Sequence, residues 1–87
     1  MAVQDELRDQ RLHALGQAIR NRRTTLGISQ TALGDLVGFD QTDISRLERG
    51  QHAIGVDRLW LIADALEITP AGLLAVAEQV AEQDRPD

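Results

Sequence analysis

The sequence predicts an all-α fold, a compact bundle of five helices with an extended C-terminal helix, and three kinds of observation support it. Apolar residues recur three or four positions apart along most of the chain. Glycine follows the last apolar residue of several runs, where a left-handed backbone ends a helix at no steric cost. Serine, aspartate or threonine precedes the later runs at the capping position. The 87 residues suit one domain, and a hydrophobic content of 43% is enough for its core.

The first helix is predicted over residues 6–26, with Gly27 as its stop. Its regularly spaced stripe comprises Leu12, Leu15, Ala18, Ile19, Arg22, Arg23 and Leu26. Residues 1–9 are polar and acidic, and they either extend this helix or form a flexible arm. We expect residues 10–83 to form the domain and residues 84–87 to be a disordered tail.

Residues 29–49 are predicted to form two short helices joined by a tight turn. Ser29 is the expected cap of the first, because its hydroxyl can accept a hydrogen bond from a free amide of the first turn. Leu33, Leu36 and Val37 give this helix one buried stripe, and Gly38 ends it. Asp40 is the expected cap of the second helix.

The second helix of this pair has an outward face without apolar side chains. Ile44 and Leu47 are predicted to point inward, and Asp43 lies near the positive end of the helix dipole. The outward residues are Gln41, Thr42, Ser45, Arg46 and Arg49. Two helices, a turn with glycine and a polar second helix are typical of a helix-turn-helix. An αα-hairpin with a solvated face has the same periodicity.

The last two helices follow a loop over residues 50–55. Leu59, Ile62, Ala63 and Leu66 indicate the fourth helix, and Trp60 beside this stripe is either a partly buried packing residue or an anchor against another subunit. Thr69 and Pro70 mark the start of the fifth helix, as cap and first helical residue.

The apolar stripe of the fifth helix is longer than a small bundle needs, which suggests a homodimer. The alternative is a helix that covers only its own core. The residues expected at the dimer interface are Val3, Leu7, Trp60, Leu73, Val76, Ala77 and Val80.

Composition excludes several functions. Without cysteine there is no disulfide, thiolate nucleophile or cysteine zinc site. His13 and His52 lie in no metal-binding spacing, and no catalytic group of residues is evident, so we expect no metal, no cofactor and no enzyme. An aromatic content of 2% gives no surface for stacking bases. No apolar run approaches the roughly 20 residues of a membrane span, so a cytoplasmic protein without membrane contact is expected.

The net charge of −5 is unevenly distributed along the chain. Residues 10–52 carry six arginines and four acidic residues, a balance of +2. Residues 53–87 carry two arginines and seven acidic residues, and residues 1–9 one arginine and three acidic residues. Residues 10–52 are therefore the basic part of the chain, and a basic face matters more than the total charge for docking on nucleic acid.

The motifs Gly-Ile-Ser-Gln at 27–30 and Ile-Ser-Arg-Leu-Glu-Arg-Gly at 44–50 are the most specific features of the sequence. Together with Arg20, Arg23 and the Leu/Ile/Ala pattern of 59–74, they resemble the Cro/phage-repressor-like, or XRE-type, helix-turn-helix family over about residues 12–74. The resemblance implies a five-helix domain that binds double-stranded DNA as a two-fold dimer, with its third helix in the major groove. Gly34 departs from the family's usual alanine and allows a closer contact between the second and third helices.

The resemblance also implies roles for individual residues. The base-reading positions of the third helix are Gln41, Thr42, Ser45 and Arg46. The residues expected to hold phosphates are Arg22, Gln30, Arg49, Gln51 and His52. Arg23 and Glu48 are expected to form a partly buried ion pair between the first and third helices. The loop after Gly50 lacks lysine and arginine up to residue 55, which predicts a weak grip on phosphate.

Two further interpretations of the sequence remain open. In one, the protein is a sequence-specific transcription regulator, a repressor that binds an inverted-repeat operator as a homodimer. In the other, it is an antitoxin-like or adaptor module whose C-terminal helix binds a protein partner, with DNA binding secondary or absent. A helical bundle that has lost DNA binding is a weaker third interpretation.

Overall fold

The structure is a computed structural model that describes residues 2–84, and the side chains of residues 4–84. The described chain is entirely helix and connecting turns, as the sequence predicted. Its helices are α1 (Ala2–Thr25), α2 (Gln30–Val37), α3 (Gln41–Glu48), α4 (Val56–Ala65) and α5 (Pro70–Gln83). Asp84, the first residue of the tail expected to be disordered, is the C-cap of α5. The rest of that expected tail, residues 85–87, and the expected interface contact of the Val3 side chain lie outside the described residues.

The helices enclose one core to which each contributes. The side chains of Ile19, Leu33, Ile44, Ile62 and Leu73, one from each helix, are fully buried. Helix α1 is about 36 Å long at 1.5 Å per residue and packs along α5 and across α3. Helix α2 packs against both α3 and α4. The α2–α3 pair is therefore supported from behind by α1, which packs on α3, and by α4, which packs on α2.

Local signals placed the helix ends correctly. The hydroxyl of Ser29 accepts the Ala32 amide at 3.0 Å, and that of Thr69 accepts the Gly72 amide at 2.9 Å. Gly27 and Gly38 both have positive φ, at 73° and 77°. Asp40 occupies the N-cap position of α3, but its carboxylate makes no capping hydrogen bond. The first helix is longer than predicted and begins at Ala2, so residues 2–9 continue it.

Helix α4 ends in left-handed backbone, as α1, α2 and α3 do, but without a glycine. Glu67 has a φ of 56°, and the following amide, that of Ile68, donates to the Ala63 carbonyl at 3.1 Å. This is the six-residue hydrogen bond that closes a Schellman motif. A side chain in left-handed backbone costs roughly 1–2 kcal/mol.

Some residues predicted to be buried are exposed, and some residues predicted to lie at a dimer interface are buried in the core. Leu36 and Trp60 are more than half exposed, at 64% and 57%, so Leu36 does not belong to the buried stripe and Trp60 is not a partly buried packing residue. Leu73 and Ala77 are buried in the core of their own chain, so the prediction that they form a dimer interface is wrong. Val76 and Val80 are half-buried against the same core.

Among the residues that the structure describes, no single helix has the length and apolar content to cross a membrane, and only α4 and α5 taken together, as a pair bent by 94°, reach that length and composition.

Candidate nucleic-acid interface

The α2–turn–α3 unit is tightly built because Gly34 has no side chain. A Cβ at this position would collide with the carbonyl oxygen of Phe39 in the turn. The Phe39 amide donates to the Gly34 carbonyl at 2.8 Å and closes the turn after Gly38. An alanine here would push the turn outward, so glycine sets the close approach of α3 to α2.

The outward face of α3 is polar and open, as predicted. Gln41, Thr42, Arg46 and Arg49 are exposed, and Ser45 is half-buried. Ile44 is fully buried on the opposite face and fixes the rotation of the helix about its axis. The exposed carboxylates of this region, Asp40 and Asp43, lie at the start of the same helix.

A chain of hydrogen bonds connects the interior to the first residue of α3. The Glu48 carboxylate accepts Arg23 Nε at 2.6 Å and Arg23 Nη2 at 2.9 Å. Its Oε1 also accepts Gln30 Nε2 at 3.0 Å, and Gln30 Oε1 in turn accepts Gln41 Nε2 at 2.6 Å. The chain leaves one amide proton and the carbonyl oxygen of Gln41 available to a ligand.

The ion pair at the base of this chain is buried. The Glu48 side chain is 2% exposed and that of Arg23 is 11% exposed. Arg23 Nη1 donates to the Ile28 carbonyl at 2.9 Å, so the guanidinium joins α1, α3 and the segment before α2. The hydrogen bond that Arg23 donates to Glu48 raises the pKa of Arg23, and burial opposes that rise. The expected pair of charges is thus present and rigidly positioned.

Gly16 has a structural role that the sequence reading missed. A Cβ on this residue would collide with the Glu48 carbonyl oxygen and would lie 2.5 Å from that of Leu47. Helix α1 therefore crosses the C-terminal end of α3 at backbone distance. A glycine in the middle of a long predicted helix was the available signal, because glycine there is unfavourable unless close packing requires it.

Arg22 does not have the expected position for binding phosphate. Its Nε donates to the Leu66 carbonyl at 2.8 Å and its Nη2 to the Glu67 carbonyl at 3.0 Å. These are carbonyls at the C-terminal end of α4, where a cation also interacts favourably with the helix dipole. The structure corrects the prediction: Arg22 caps α4 and ties it to α1.

The loop after α3 leaves two of the expected phosphate ligands at the surface. Gln51 and His52 are exposed. The Gln51 amide donates to the Arg46 carbonyl at 2.9 Å and so serves to end α3, while its side chain remains at the surface. Gly50 has a φ of 73° and lies against α1, where a Cβ would be 2.8 Å from His13 Cα.

Arg58 is a second residue that sequence reasoning missed. Its guanidinium lies over the Phe39 ring, 4.8 Å from the centroid. It lines a cleft of about 200 Å³ together with Asp43 of α3 and His52 of the following loop. Arg58 shares no sequence motif with α3. The one available signal for its place beside α3 was its position three residues after the loop that follows α3.

Within the described chain, no group of three or more histidine, aspartate or glutamate residues is arranged to hold a metal ion. The features that stand out are instead the exposed polar face of α3, the hydrogen-bond chain behind it and the arginines around it.

Comparison with known proteins bears on this site directly. The profile of a family described as helix-turn-helix matches residues 19–73, which is more than half of the chain. An HTH-type transcriptional regulator of Sinorhizobium fredii is 39% identical over 57 residues, 66% of this chain and 40% of the relative. This chain thus spans less than half the length of that relative.

Two solved structures are similar in both sequence and fold. The restriction-modification controller protein C.AhdI of Aeromonas hydrophila is 37% identical with a TM-score of 0.69, over 71% of this chain and 94% of that one. The P22 c2 repressor in complex with a synthetic operator is also 37% identical, with a TM-score of 0.64, over 68% of this chain and 89% of that one.

Proposed function

This chain belongs to the helix-turn-helix family, and from that premise we propose that it is a sequence-specific transcription regulator of the repressor type that binds double-stranded DNA in the cytoplasm. The observation that carries the proposal is the exposed polar face of α3, held at a fixed rotation by Ile44 and by the α2 turn. That one similar structure is of a repressor with a synthetic operator supports the same ligand.

In this proposal the outward face of α3 reads bases in the major groove. Arg46 can donate hydrogen bonds to the O6 and N7 atoms of guanine. The Gln41 side chain can accept from N6 of adenine with its carbonyl oxygen and donate to N7 with its free N–H. The hydrogen bond from Gln41 to Gln30 restricts the amide before DNA arrives, which lowers the entropy cost of binding. Thr42 and Ser45 complete the surface that faces the bases.

Phosphate contacts flank this surface. We assign them to Gln30, Arg49, Gln51, His52 and, in place of Arg22, Arg58. The Arg58 guanidinium is oriented by the Phe39 ring and opens onto the cleft that His52 also lines. The total charge of −5 repels DNA at long range. DNA binding by this surface, which has few cations, therefore depends on arginines that are held in fixed positions.

The proposal includes a homodimer on an inverted repeat, with α4 at the interface. The outer face of α4 exposes Val56, Trp60 and Leu61, at 71%, 57% and 51%. Large apolar side chains grouped in this way mark interaction sites, and tryptophan is enriched in them.

Selection of duplexes from a random DNA pool at two salt concentrations tests DNA reading. We expect an inverted repeat with half-sites about 10 bp apart, enriched less strongly at the higher salt. Arg46→Ala should remove preference at one base pair per half-site, worth about 1–3 kcal/mol. Arg8→Ala removes the same charge near the start of α1 and should leave the preference unchanged. Equal enrichment of all sequences by the unmodified protein would refute the proposal.

Light scattering at tens of micromolar tests the dimer separately. Trp60→Gln should yield a monomer that still folds, because the side chain is mostly exposed. Leu74→Gln, which changes an exposed leucine of α5, is the matched control and should remain a dimer. A Trp60→Gln protein with the unmodified mass would place the interface elsewhere.

A further inference from the structure

The buried carboxylate of Glu48 fixes the direction of the hydrogen bonds that lead from the interior to the surface of α3. A carboxylate paired with a guanidinium accepts hydrogen bonds and donates none. The Gln30 side-chain atom that lies 3.0 Å from Glu48 Oε1 is therefore the amide nitrogen, because a carbonyl oxygen there would face another acceptor. The orientation of the Gln30 amide thus follows from the chemistry of its buried neighbour.

The orientation of the Gln41 amide follows from that of Gln30. With its nitrogen turned to Glu48, Gln30 presents its carbonyl oxygen to the start of α3. The Gln41 atom that lies 2.6 Å from this oxygen has to be a donor, so it is Nε2. The Gln41 amide cannot turn over without losing this hydrogen bond.

This chain of hydrogen bonds starts at a fixed point and ends in solvent. The Glu48 side chain is 2% exposed, and Arg23 holds it with two hydrogen bonds of 2.6 and 2.9 Å. Gln30 is half-buried and Gln41 is exposed. An exposed side chain without a partner changes its rotamer rapidly. Here the acceptor at the buried end selects one orientation of the amide at the surface.

We propose that Glu48 and Gln30 are positioning residues that make the Gln41 site select adenine and reject guanine. This inference rests on the proposed function, in which Gln41 faces a base in the major groove. Adenine offers a donor at N6 and an acceptor at N7, which match the carbonyl oxygen and the free N–H of Gln41. Guanine offers acceptors at both O6 and N7, so the fixed carbonyl oxygen would face guanine O6 with no proton between them.

A Gln41 side chain released from this chain of hydrogen bonds would discriminate less between the two purines. Its amide could turn over and direct both N–H groups at O6 and N7 of guanine. Two variants release it in different ways. Gln30→Met removes the neighbouring amide and keeps the ion pair. Arg23→Met combined with Glu48→Leu removes the buried acceptor and keeps Gln30, and its apolar side chains of similar volume preserve the fold.

Duplex binding measured by fluorescence anisotropy tests the proposal with the full chain. The duplex is one that the unmodified protein selects from a random pool, and the base pair read by Gln41 is the one at which Gln41→Ala loses its preference. Changing adenine to guanine there should weaken binding of the unmodified protein about tenfold or more. In both released variants the same change should weaken binding only about twofold.

Gln17→Met is the matched control, because it removes a half-buried amide of α1 that lies outside the chain of hydrogen bonds. It should keep the full ratio of the two affinities. Loss of a phosphate contact or of stability would weaken binding to both duplexes alike, so this ratio isolates the positioning role. Circular dichroism checks that each variant keeps its helix content, and Gln30→Met decides alone if the double variant does not fold.

Loss of the ratio in the released variants, with the ratio kept in Gln17→Met, supports the proposal. An undiminished ratio in Gln30→Met, or in a folded double variant, would overturn it and leave the proposed function standing. So would a Gln41→Ala protein that keeps every base preference, or an unmodified protein that prefers guanine at this position. An unmodified protein that selects no sequence would instead refute the proposed function, and this inference with it.

Discussion

Removing the carboxylate of Glu48 should destabilise the protein far more than any surface change on the same helix. Glu48→Ala deletes the acceptor of two hydrogen bonds from Arg23 and one from Gln30. The guanidinium is then buried with the Ile28 carbonyl as its remaining acceptor. An unpaired buried charge of this kind costs about 3–5 kcal/mol.

The size of that loss makes it easy to measure. In a domain of this length, 1 kcal/mol corresponds to a shift of about 4–8 °C in the midpoint of thermal unfolding. A loss of about 3 kcal/mol therefore lowers the midpoint by at least about 12 °C. Urea unfolding at constant temperature gives a second measurement of the loss in unfolding free energy. An unchanged slope of that free energy against urea concentration would show that the compactness of the folded and unfolded states is retained.

Two variants make the result specific to the pair. Arg49→Ala removes an exposed charge at the next position and should change stability by less than about 0.5 kcal/mol. Arg23→Met combined with Glu48→Leu removes both charges and should recover most of the loss, because the residues fill a similar volume. A loss below about 1 kcal/mol for Glu48→Ala would refute the reasoning, since the pair would then behave as an exposed one.

The raised pKa of Arg23 fixes the direction of the pH dependence. A cation whose pKa is higher in the folded than in the unfolded protein stabilises the fold fully at pH values below its unfolded-state pKa. This stabilisation is lost only as the pH rises through the folded-state pKa. Arginine titrates above about pH 12. The difference in unfolding free energy between the unmodified protein and Glu48→Ala should therefore stay constant from about pH 7 to about pH 10.

Three other substitutions test the packing of the helices. Gly16→Ala should destabilise by about 1–3 kcal/mol or more in urea unfolding, because its Cβ meets backbone carbonyls of α3 that cannot move alone; a gain in stability would contradict the close crossing. Glu67→Gly should raise the thermal midpoint by relieving left-handed backbone worth roughly 1 kcal/mol, and no change would show that the side chain compensates. Arg22→Ala should lower stability by about 1 kcal/mol through the end of α4. It should leave the salt dependence of DNA binding unaltered, whereas a shallower salt slope would restore Arg22 as a phosphate ligand.

Features that depend on a few neighbouring residues could be predicted from the sequence. Ser29 and Thr69 cap their helices, and Gly27 and Gly38 end theirs, because each needs only its own backbone and the next turn. The polar face of α3 was also predictable from its periodicity. Which of its side chains contact bases or phosphates stays a prediction, as does the dimer.

Features that depend on the rotation of one helix against another could not be predicted. Leu73 is buried and Leu74 exposed, although both are apolar neighbours, because the rotation of α5 against α1 selects one of them. Arg22 and Arg23 differ in the same way: one caps α4 and the other pairs with Glu48. The family resemblance identified Arg23 as the partner of Glu48, but nothing in the sequence indicated that the neighbouring Arg22 would cap α4.

The sequence by itself determined that this protein is a set of five helices with a helix-turn-helix motif, since helix periodicity, caps and stops are local properties. Only the tertiary structure decided which side chains reach one another across the bundle. It linked Arg23 to Gln41 through Glu48 and Gln30, explained Gly16 by a helix crossing, and left Trp60 exposed. Those outcomes follow from contacts between residues far apart in the chain, which no local pattern encodes.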